Sequence, residues 1–238
     1  MKIKVIMFDL DGTLLPMDQE IFIKAYFKGV VDKMKPIGYE AQHLVESIWL
    51  GTKAMIENEG NNTNEMVFWE TMKHIYGEMV IEDKAYFDKF YVEDFDSIKN
   101  VCGYNPKVKS VIRFLKESGY RLALATNPIF PKIATQKRIK WAGFSESDFE
   151  LITSYENSSY CKPNLEYYKE ILKTLDVKPE ECIMIGNDVE EDMVAEKLGI
   201  NVFLLTNCLI NKNNKNINQF PHGDFDELLS HIKHIDKD

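Results

Sequence analysis

The chain has 238 residues, which is enough for one large domain or for a core domain that carries an inserted one. Hydrophobic residues make up 45% and charged residues 28%, as is ordinary for a globular protein, and no apolar run approaches the length of a membrane span. The formal net charge of −9 argues against an unassisted nucleic-acid or anionic-membrane surface, so we expect neither partner.

The cysteines and the amino terminus bear on the compartment. The four cysteines are Cys102, Cys161, Cys182 and Cys208. They are scattered and form no CxxC pair, which favours reduced thiols over a disulfide framework or a zinc site. The apolar run at the amino terminus is too short for a signal peptide, and Asp9 and Asp11 interrupt it. We therefore expect a cytoplasmic protein.

The first predicted element is a buried strand over residues 3–8, and a pair of acids follows it. Asp9 and Asp11 stand two residues apart, and Gly12 begins a turn. Two negative charges at the end of a buried strand are costly unless a cation or a reaction requires them there. Ligands of open α/β sheets bind at the carboxyl ends of the strands. The pair therefore predicts a metal-assisted acyl- or phosphoryl-transfer site.

Residues 18–97 have a helical pattern. Apolar residues recur at helical spacing, which predicts helices from about residue 18, over 40–57, over 64–76 and from 83 to about 92. Pro36, Gly38, Gly60 and Gly77 mark the breaks between them. We expect a small helical bundle without strands. Its aromatic residues should pack the bundle, with one or two facing a ligand: Trp49, Phe68, Trp69, Tyr86, Phe87, Phe90 and Tyr91.

From Pro106 onward, helices and strands alternate. Helices are predicted over 107–118, 131–142, 164–175, 190–198 and about 225–233, strands over 121–126, 151–153, 182–185 and 201–205, and a polar loop over 211–219. Short apolar strands between helices indicate an α/β fold with a doubly wound parallel sheet. The helical block falls between the first two strands. We therefore expect a core domain of residues 1–16 and 98–238 and a helical cap domain of residues 17–97, lying over the carboxyl ends of the strands.

Polar residues follow the strands at four places in this pattern. They are Asp9 with Asp11, Thr126 with Asn127, Lys162 with Pro163, and Asn187 with Asp188 and Asp192. Taken singly, each group has an ordinary structural explanation as a turn, a helix cap, a solvated lysine or first-turn acids. Parallel strands bring their carboxyl ends to one edge, however, so we expect the four groups to converge on one site.

These residues resemble the motifs of the haloacid dehalogenase-like (HAD) hydrolase superfamily. Asp-Leu-Asp-Gly-Thr at 9–13 matches the first motif, Thr126 the second, Lys162-Pro163 the third and Gly-Asn-Asp-Val-Glu-Glu-Asp at 186–192 the fourth. The order and spacing fit nearly the whole chain, and the helical insert is similar to the family's C1 cap. The resemblance implies a Rossmann-like core, an inserted all-helical cap and phosphoryl-transfer chemistry.

The resemblance also implies roles for the side chains. Asp9 would attack phosphorus and form an aspartyl-phosphate. Asp11 would protonate the leaving oxygen and then deprotonate the attacking water, which requires a raised pKa. Thr126 and the backbone N–H of Asn127 would bind the non-bridging phosphoryl oxygens. Lys162 would offset the charge of the nucleophile and the phosphate together.

The implied cofactor is Mg²⁺, which prefers a few carboxylates, phosphate oxygens and waters. Asp9, the backbone carbonyl of Asp11, and Asp188 would be its protein ligands. Many relatives have Asp directly after the glycine of the fourth motif, where this chain has Asn187. We place Asp192 behind the ligands, acting through water or Lys162. Asn187 as a direct ligand stays open.

The leading functional hypothesis is a Mg²⁺-dependent phosphatase that acts on a small phosphorylated metabolite. A phosphomutase, a phosphonate hydrolase and a non-catalytic phosphate-binding regulatory protein are the alternatives. Phosphonate cleavage would need a Schiff-base lysine from the cap, for which Lys24, Lys28 and Lys53 are candidates. Asp11 counts against a haloacid dehalogenase, since related dehalogenases lack an acid there. The sequence makes no prediction of oligomeric state.

Overall fold

The computed structural model describes residues 3–235. Its parallel sheet contains β1 (Val5–Phe8), β2 (Arg121–Leu124), β3 (Leu151–Ile152), β4 (Cys182–Gly186), β5 (Asn201–Leu205) and β6 (His222–Gly223). The strand order is β3-β2-β1-β4-β5-β6. The central strand β1 pairs in parallel with β2 on one side and β4 on the other, with Val5 opposite both Arg121 and Cys182. This confirms the predicted doubly wound α/β fold.

The helices divide into two groups. Five lie between β1 and β2: α1 (Gln19–Met34), α2 (Ala41–Ile56), α3 (Asn64–Tyr76), α4 (Met79–Glu82) and α5 (Lys84–Lys89). The others flank the sheet: α6 (Pro106–Glu117), α7 (Lys132–Trp141), α8 (Leu165–Leu175) and α9 (Phe225–Ile235). Local side chains begin several of them; Asp18 accepts a hydrogen bond from the N–H of Ile21, and Thr63 from that of Met66.

Both faces of the sheet are covered. Val5 and Met7 of β1 pack in a hydrophobic cluster with residues of α8, whereas Ile6 and Phe8 pack in another with residues of α6, α7 and α9. Successive side chains of a strand point to opposite faces, so a fully buried β1 requires helices on both sides. This burial explains why the strand is a continuous apolar run rather than an alternating one.

Residues 19–101, which we call the helical insert, connect to the sheet through two adjacent segments. Met17 and Cys102 form an antiparallel bridge, and the N–H of Gly103 donates to Pro16 O at 2.7 Å. The insert contains helices and turns but no strand, as predicted. Most of its buried apolar side chains join the same hydrophobic cluster as Ile6 and Phe8, whereas Met55 packs in a separate cluster with Tyr155 and Cys161.

The predicted helix over 83–92 is α-helical only as far as Lys89, and its last three residues have a different helical form. Helix α5 ends at Lys89, and a π-helical turn, Phe90–Asp94, and a 3₁₀ helix, Phe95–Val101, continue the chain. The N–H of Phe95 donates to Phe90 O, five residues back. This wider turn lets both rings face inward, where they pack edge to face with centroids 5.9 Å apart.

Two further differences lie after β4. The predicted helix over 190–198 is only a 3₁₀ helix, Met193–Leu198, preceded by a turn. The short edge strand β6 was not predicted, and the polar tract before it contains a 3₁₀ turn, Ile217–Gln219, within its loop.

All four cysteines are free. Among the described residues no helix combines the length and the apolar character needed to cross a membrane.

Candidate active site

The polar groups that follow the strands gather around one cavity of about 200 Å³ between the sheet edge and the helical insert. Asp9 and Asp11 reach it from β1, and Thr126 and Asn127 from the end of β2. Four residues reach it from the segment after β4: Asn187, Asp188, Glu191 and Asp192. Lys162 lies behind them and contacts two of the carboxylates. The structure thus brings together the site residues proposed from the sequence.

Lys162 is the centre of a buried ion network. Its side chain is 1% exposed, and Nζ lies 2.9 Å from Asp9 Oδ1 and 2.6 Å from Asp192 Oδ1. Burial, opposed by Lys162, raises the pKa of Asp9 and of Asp192. Burial alone would lower the pKa of Lys162, but Asp192 and Asp9 raise it well above its ordinary value. The ammonium is therefore charged and fixes both carboxylates.

Asn187 has a structural role beside Asp9. The Thr13 hydroxyl lies 3.0 Å from Asn187 Oδ1 and 3.3 Å from Asp9 Oδ2, so its single proton is shared between two acceptors. Asn187 Nδ2 donates to Cys208 O at 2.6 Å. Gly12 has φ +84°, and a Cβ there would lie 2.3 Å from Asn187 Nδ2. The close approach and the left-handed backbone both require glycine at this position.

Asp188 and Asp192 shape the turn after β4. Asp188 Oδ1 accepts hydrogen bonds from the N–H groups of Glu190 and Glu191, at 2.7 and 2.9 Å. Asp192 Oδ2 accepts one from the N–H of Asp188 at 2.9 Å. These bonds satisfy backbone donors locally and replace the first turn of the predicted helix. Both carboxylates still line the cavity.

Asn127 links Lys162 to a further acid. Its Oδ1 accepts a hydrogen bond from the N–H of Lys162 at 3.2 Å, and its Nδ2 donates to Glu191 Oε2 at 3.0 Å. Burial raises the pKa of Glu191 to about 7. Glu191 lines the cavity as well, and nothing in the local sequence pattern indicates this.

Sequence reasoning also missed Arg138, a residue of α7. Its side chain is 1% exposed and forms an ion pair with Asp11 Oδ2. The guanidinium lies 4.5 Å from the ring centroid of Phe130, and Nε donates to Ala134 O at 3.3 Å. Asp11 Oδ1 is buried without a hydrogen-bond partner among the described residues. Burial, opposed by Arg138, raises the pKa of Asp11. In the sequence Arg138 lies next to Lys137 and close to Lys140. Such a group of cations is typical of the solvated face of a helix, so the sequence does not indicate that Arg138 is buried.

The donor atoms around the cavity fit a magnesium ion. Residues 3–235 contain no cluster of three His, Cys, Asp or Glu side chains that forms a ready metal centre. The possible metal donors that line the cavity with Asp9 are the oxygens of Asp11, Asn187 and Asp188, and none of the described lining residues is His or Cys. Magnesium keeps several waters and needs only one or two carboxylates besides phosphate oxygens, whereas structural zinc sites need a closed set of nitrogen and sulfur ligands.

The opposite wall of the cavity is aromatic and comes mostly from the helical insert. Of the seven aromatic residues singled out in the sequence, five line it: Trp49, Phe68, Trp69, Phe87 and Tyr91. Tyr86 is exposed on the surface, and Phe90 is buried in the core. Phe130 and Tyr155 extend the same wall from the sheet side. The cavity therefore has one polar end at the strands and one apolar end.

The chain has a parallel sheet, an acid pair after the central strand, and a helical insert at the carboxyl edge of the sheet. These features are those of a Rossmann-like hydrolase with a cap. The sequence matches the family description "haloacid dehalogenase-like hydrolase" over residues 3–199. The chain therefore belongs to the haloacid dehalogenase-like hydrolases, which confirms the resemblance found in the motifs.

Known proteins similar to the chain cover most of its length. Glyceraldehyde 3-phosphate phosphatase of Methanothermobacter thermautotrophicus is 26% identical over 209 residues, 87% of each chain. Pyrophosphatase PpaX of Halalkalibacterium halodurans is 26% identical over 201 residues, 84% of this chain and 82% of the other. The crystal structure of a HAD phosphatase from Thermococcus onnurineus shares the fold, with a TM-score of 0.59, 18% identity and coverage of 97% and 98%.

Proposed function

We propose that the chain is a Mg²⁺-dependent phosphatase that hydrolyses a small phosphomonoester through an aspartyl-phosphate on Asp9. The observation that carries the proposal is the contact between Lys162 and Asp9 at the cavity, where a charged ammonium lies beside a carboxylate that reaches the open space. The curated relatives named above are a phosphatase and a pyrophosphatase, which supports the same reaction class.

In the first step Asp9 attacks phosphorus. A carboxylate oxygen forms the new P–O bond, and the bond to the ester oxygen breaks as the leaving group departs. Lys162 holds the carboxylate in place through Oδ1 and reduces the repulsion between it and the phosphoryl oxygens. Thr126 and Asn127 line the same space. The Thr126 hydroxyl and the backbone N–H of Asn127 would bind the non-bridging oxygens.

Asp11 moves the protons. It donates one to the leaving oxygen, and in the second step it takes one from the water that attacks the aspartyl-phosphate, which releases phosphate and restores Asp9. Burial favours the protonated form of Asp11 by raising its pKa, while Arg138 favours the carboxylate. The net effect is a raised pKa, which favours the protonated acid that the first step requires.

Asp9, the backbone carbonyl of Asp11, and Asp188 would hold the magnesium ion, with Asn187 as the alternative ligand. Asp192 is bonded to Lys162 and to the N–H of Asp188, so it orients these groups from behind. The bound ion would supply positive charge for the phosphoryl oxygens.

The structure gives no support to the phosphonate hydrolase alternative. Lys24, Lys28 and Lys53 are 79%, 79% and 68% exposed, and each lies next to an acid of its own helix. None of them lines the cavity. A Schiff-base lysine would need to be desolvated beside the reacting carbonyl.

The test is phosphate release from a panel of phosphomonoesters, with Mg²⁺ and with a chelator. We expect turnover only with Mg²⁺, and at least about a 1,000-fold loss of kcat in Asp9→Asn. Asp32→Asn is the matched control, since Asp32 lies on the exposed side of α1. A phosphomutase would instead give an isomer of a hexose phosphate. Full activity of Asp9→Asn, or no turnover of any ester by the wild type, would contradict the proposal.

A further inference from the structure

Building on the proposed phosphatase function, we infer that the substrate is a phosphomonoester with an uncharged, ring-bearing apolar leaving group. Esters that carry a second anionic group are discriminated against. The inference depends on the shape and chemistry of the apolar end of the cavity, which the catalytic residues do not explain.

The apolar end offers ring faces and few polar atoms. The hydroxyls of Tyr26 and Tyr91 bond to each other at 2.9 Å, and Trp69 Nε1 donates to the Tyr155 hydroxyl at 3.4 Å. The Thr52 hydroxyl donates to Ile48 O, at 2.8 Å. These polar groups are satisfied within the wall, and the other polar side chains that line the cavity from the insert, Gln19 and Asp88, are exposed. Deeper in the cavity a ligand therefore gains little from hydrogen bonds and much from burial of apolar surface.

The cavity has no cation for a second anion. Among the described residues that line it, none is Lys, Arg or His, whereas six are Asp or Glu. The two cations nearest to the reacting groups, Lys162 and Arg138, are each 1% exposed and bonded to Asp9 and Asp11. A carboxylate or second phosphate on the leaving group would lose water, meet aromatic rings and find no partner, which is costly.

The size of the cavity suits one ring. An apolar cavity of roughly 150 Å³ holds a benzene molecule, so this cavity of about 200 Å³, which also includes the phosphoryl site, has room for no more than one ring. Trp49 is 48% exposed although it lines the cavity, and its ring centroid lies 5.4 Å from that of Phe27. These two rings form an open aromatic edge where the leaving group can stack.

This inference separates the chain from one of its relatives. The pyrophosphatase is named for a substrate whose leaving group is itself a phosphate. The cavity described here provides carboxylates and rings where such a leaving group would need cations.

The first experiment compares two esters that differ by one charge, benzyl phosphate and 4-carboxybenzyl phosphate, with pyrophosphate as a third compound. We expect kcat/KM for benzyl phosphate to exceed that for each anionic compound by at least about 100-fold. Equal values, or a preference for either anionic compound, would overturn the inference.

The second experiment changes the charge of the wall. Thr52 is half-buried on α2 and lines the cavity, so Thr52→Lys adds a cation there, and Thr52→Met is the control of similar length without charge. We expect the ratio of kcat/KM for 4-carboxybenzyl to benzyl phosphate to be about tenfold higher in Thr52→Lys than in Thr52→Met. An equal ratio in the two variants would show that the leaving group does not occupy this cavity, and would refute the inference.

A binding measurement tests this inference independently of the phosphatase proposal. If the wild type releases phosphate from no ester, the proposed function fails. Calorimetric titration of the same protein with benzyl phosphate and 4-carboxybenzyl phosphate in Mg²⁺ then decides the ligand class. Tighter binding of benzyl phosphate supports it, whereas equal affinities, tighter binding of the carboxylated compound, or no binding of either refute it.

Discussion

Arg138 reaches across from α7 to form a buried ion pair with Asp11, the proposed acid and base of the reaction. The guanidinium is fixed in turn by Phe130 and by the carbonyl of Ala134 in its own helix. Asp11 Oδ2 takes part in this pair, and Asp11 Oδ1 has no hydrogen-bond partner among residues 3–235. The position of Asp11 thus depends on a residue that is remote in sequence.

The ion pair between Arg138 and Asp11 predicts that the loss of activity in Arg138→Met depends on the leaving group of the ester. If Arg138 positions Asp11 for proton transfer, the variant should lose at least about 100-fold in kcat/KM for alkyl phosphates, whose leaving oxygen must be protonated. It should lose much less for p-nitrophenyl phosphate, because nitrophenolate leaves without a proton. The measurement is phosphate release from both esters.

Arg113→Met is the control for this prediction, since Arg113 is exposed on α6. It should leave both values unchanged. An equal loss for both esters in Arg138→Met would mean that Arg138 supports the fold or the phosphate site rather than the proton transfer.

The ion network around Lys162 predicts a large loss of stability in Lys162→Met. The variant leaves the carboxylates of Asp9 and Asp192 buried without their shared cation. Removing one partner of a buried pair costs about 3–5 kcal/mol. Denaturant unfolding in a chelator measures the free energy of unfolding. Lys28→Met, which breaks an exposed pair within α1, should cost less than about 1 kcal/mol. Equal effects of the two substitutions would show that the network does not stabilise the protein.

The sequence predicts the polar end of the site well, because the signal is local. A buried strand that ends in acids is recognisable from a few adjacent residues. The alternation of strands and helices then predicts that Thr126 and Lys162 lie at the same edge of the sheet. The cap that the sequence offers at Asp188 agrees with its hydrogen bonds from the N–H groups of Glu190 and Glu191, but the α-helix predicted after it is only a 3₁₀ helix that begins at Met193. The burial of Arg138 depends on Asp11, a contact between residues far apart in the chain, so no helical pattern around it can indicate it.

The raised pKa of Glu191 predicts a pH-dependent stability difference. Burial raises this pKa from its ordinary value of 4.5 to about 7, so the folded protein keeps a proton that the unfolded chain loses between these values. The contribution of Glu191 to stability is thus complete below about pH 4.5 and is lost as pH rises to about 7. Glu191→Gln cannot lose that proton, so its melting temperature should rise relative to wild type over this interval.

Thermal melts in a chelator across this pH range test the prediction. Glu190→Gln is the neighbouring control, because hydrogen bonds from Asn213 and Lys215 lower the pKa of Glu190 and reverse the sign. Its melting temperature should fall relative to wild type as pH rises through the ordinary range of Glu. A constant difference between wild type and Glu191→Gln at every pH would contradict the assignment.

The choice of metal ligand predicts the effect of Asp188→Asn. An asparagine keeps the Oδ1 acceptor that the N–H groups of Glu190 and Glu191 use, so the turn and the stability of the metal-free protein should persist. The substitution removes the negative charge that we propose binds Mg²⁺, and the activation constant for Mg²⁺ should rise by about tenfold or more. Glu190→Gln, which changes an acid at the adjacent surface, should leave that constant unchanged. If Asp188→Asn binds Mg²⁺ as the wild type does, the ligand is instead Asn187, whose Oδ1 accepts from the same Thr13 hydroxyl that lies beside Asp9.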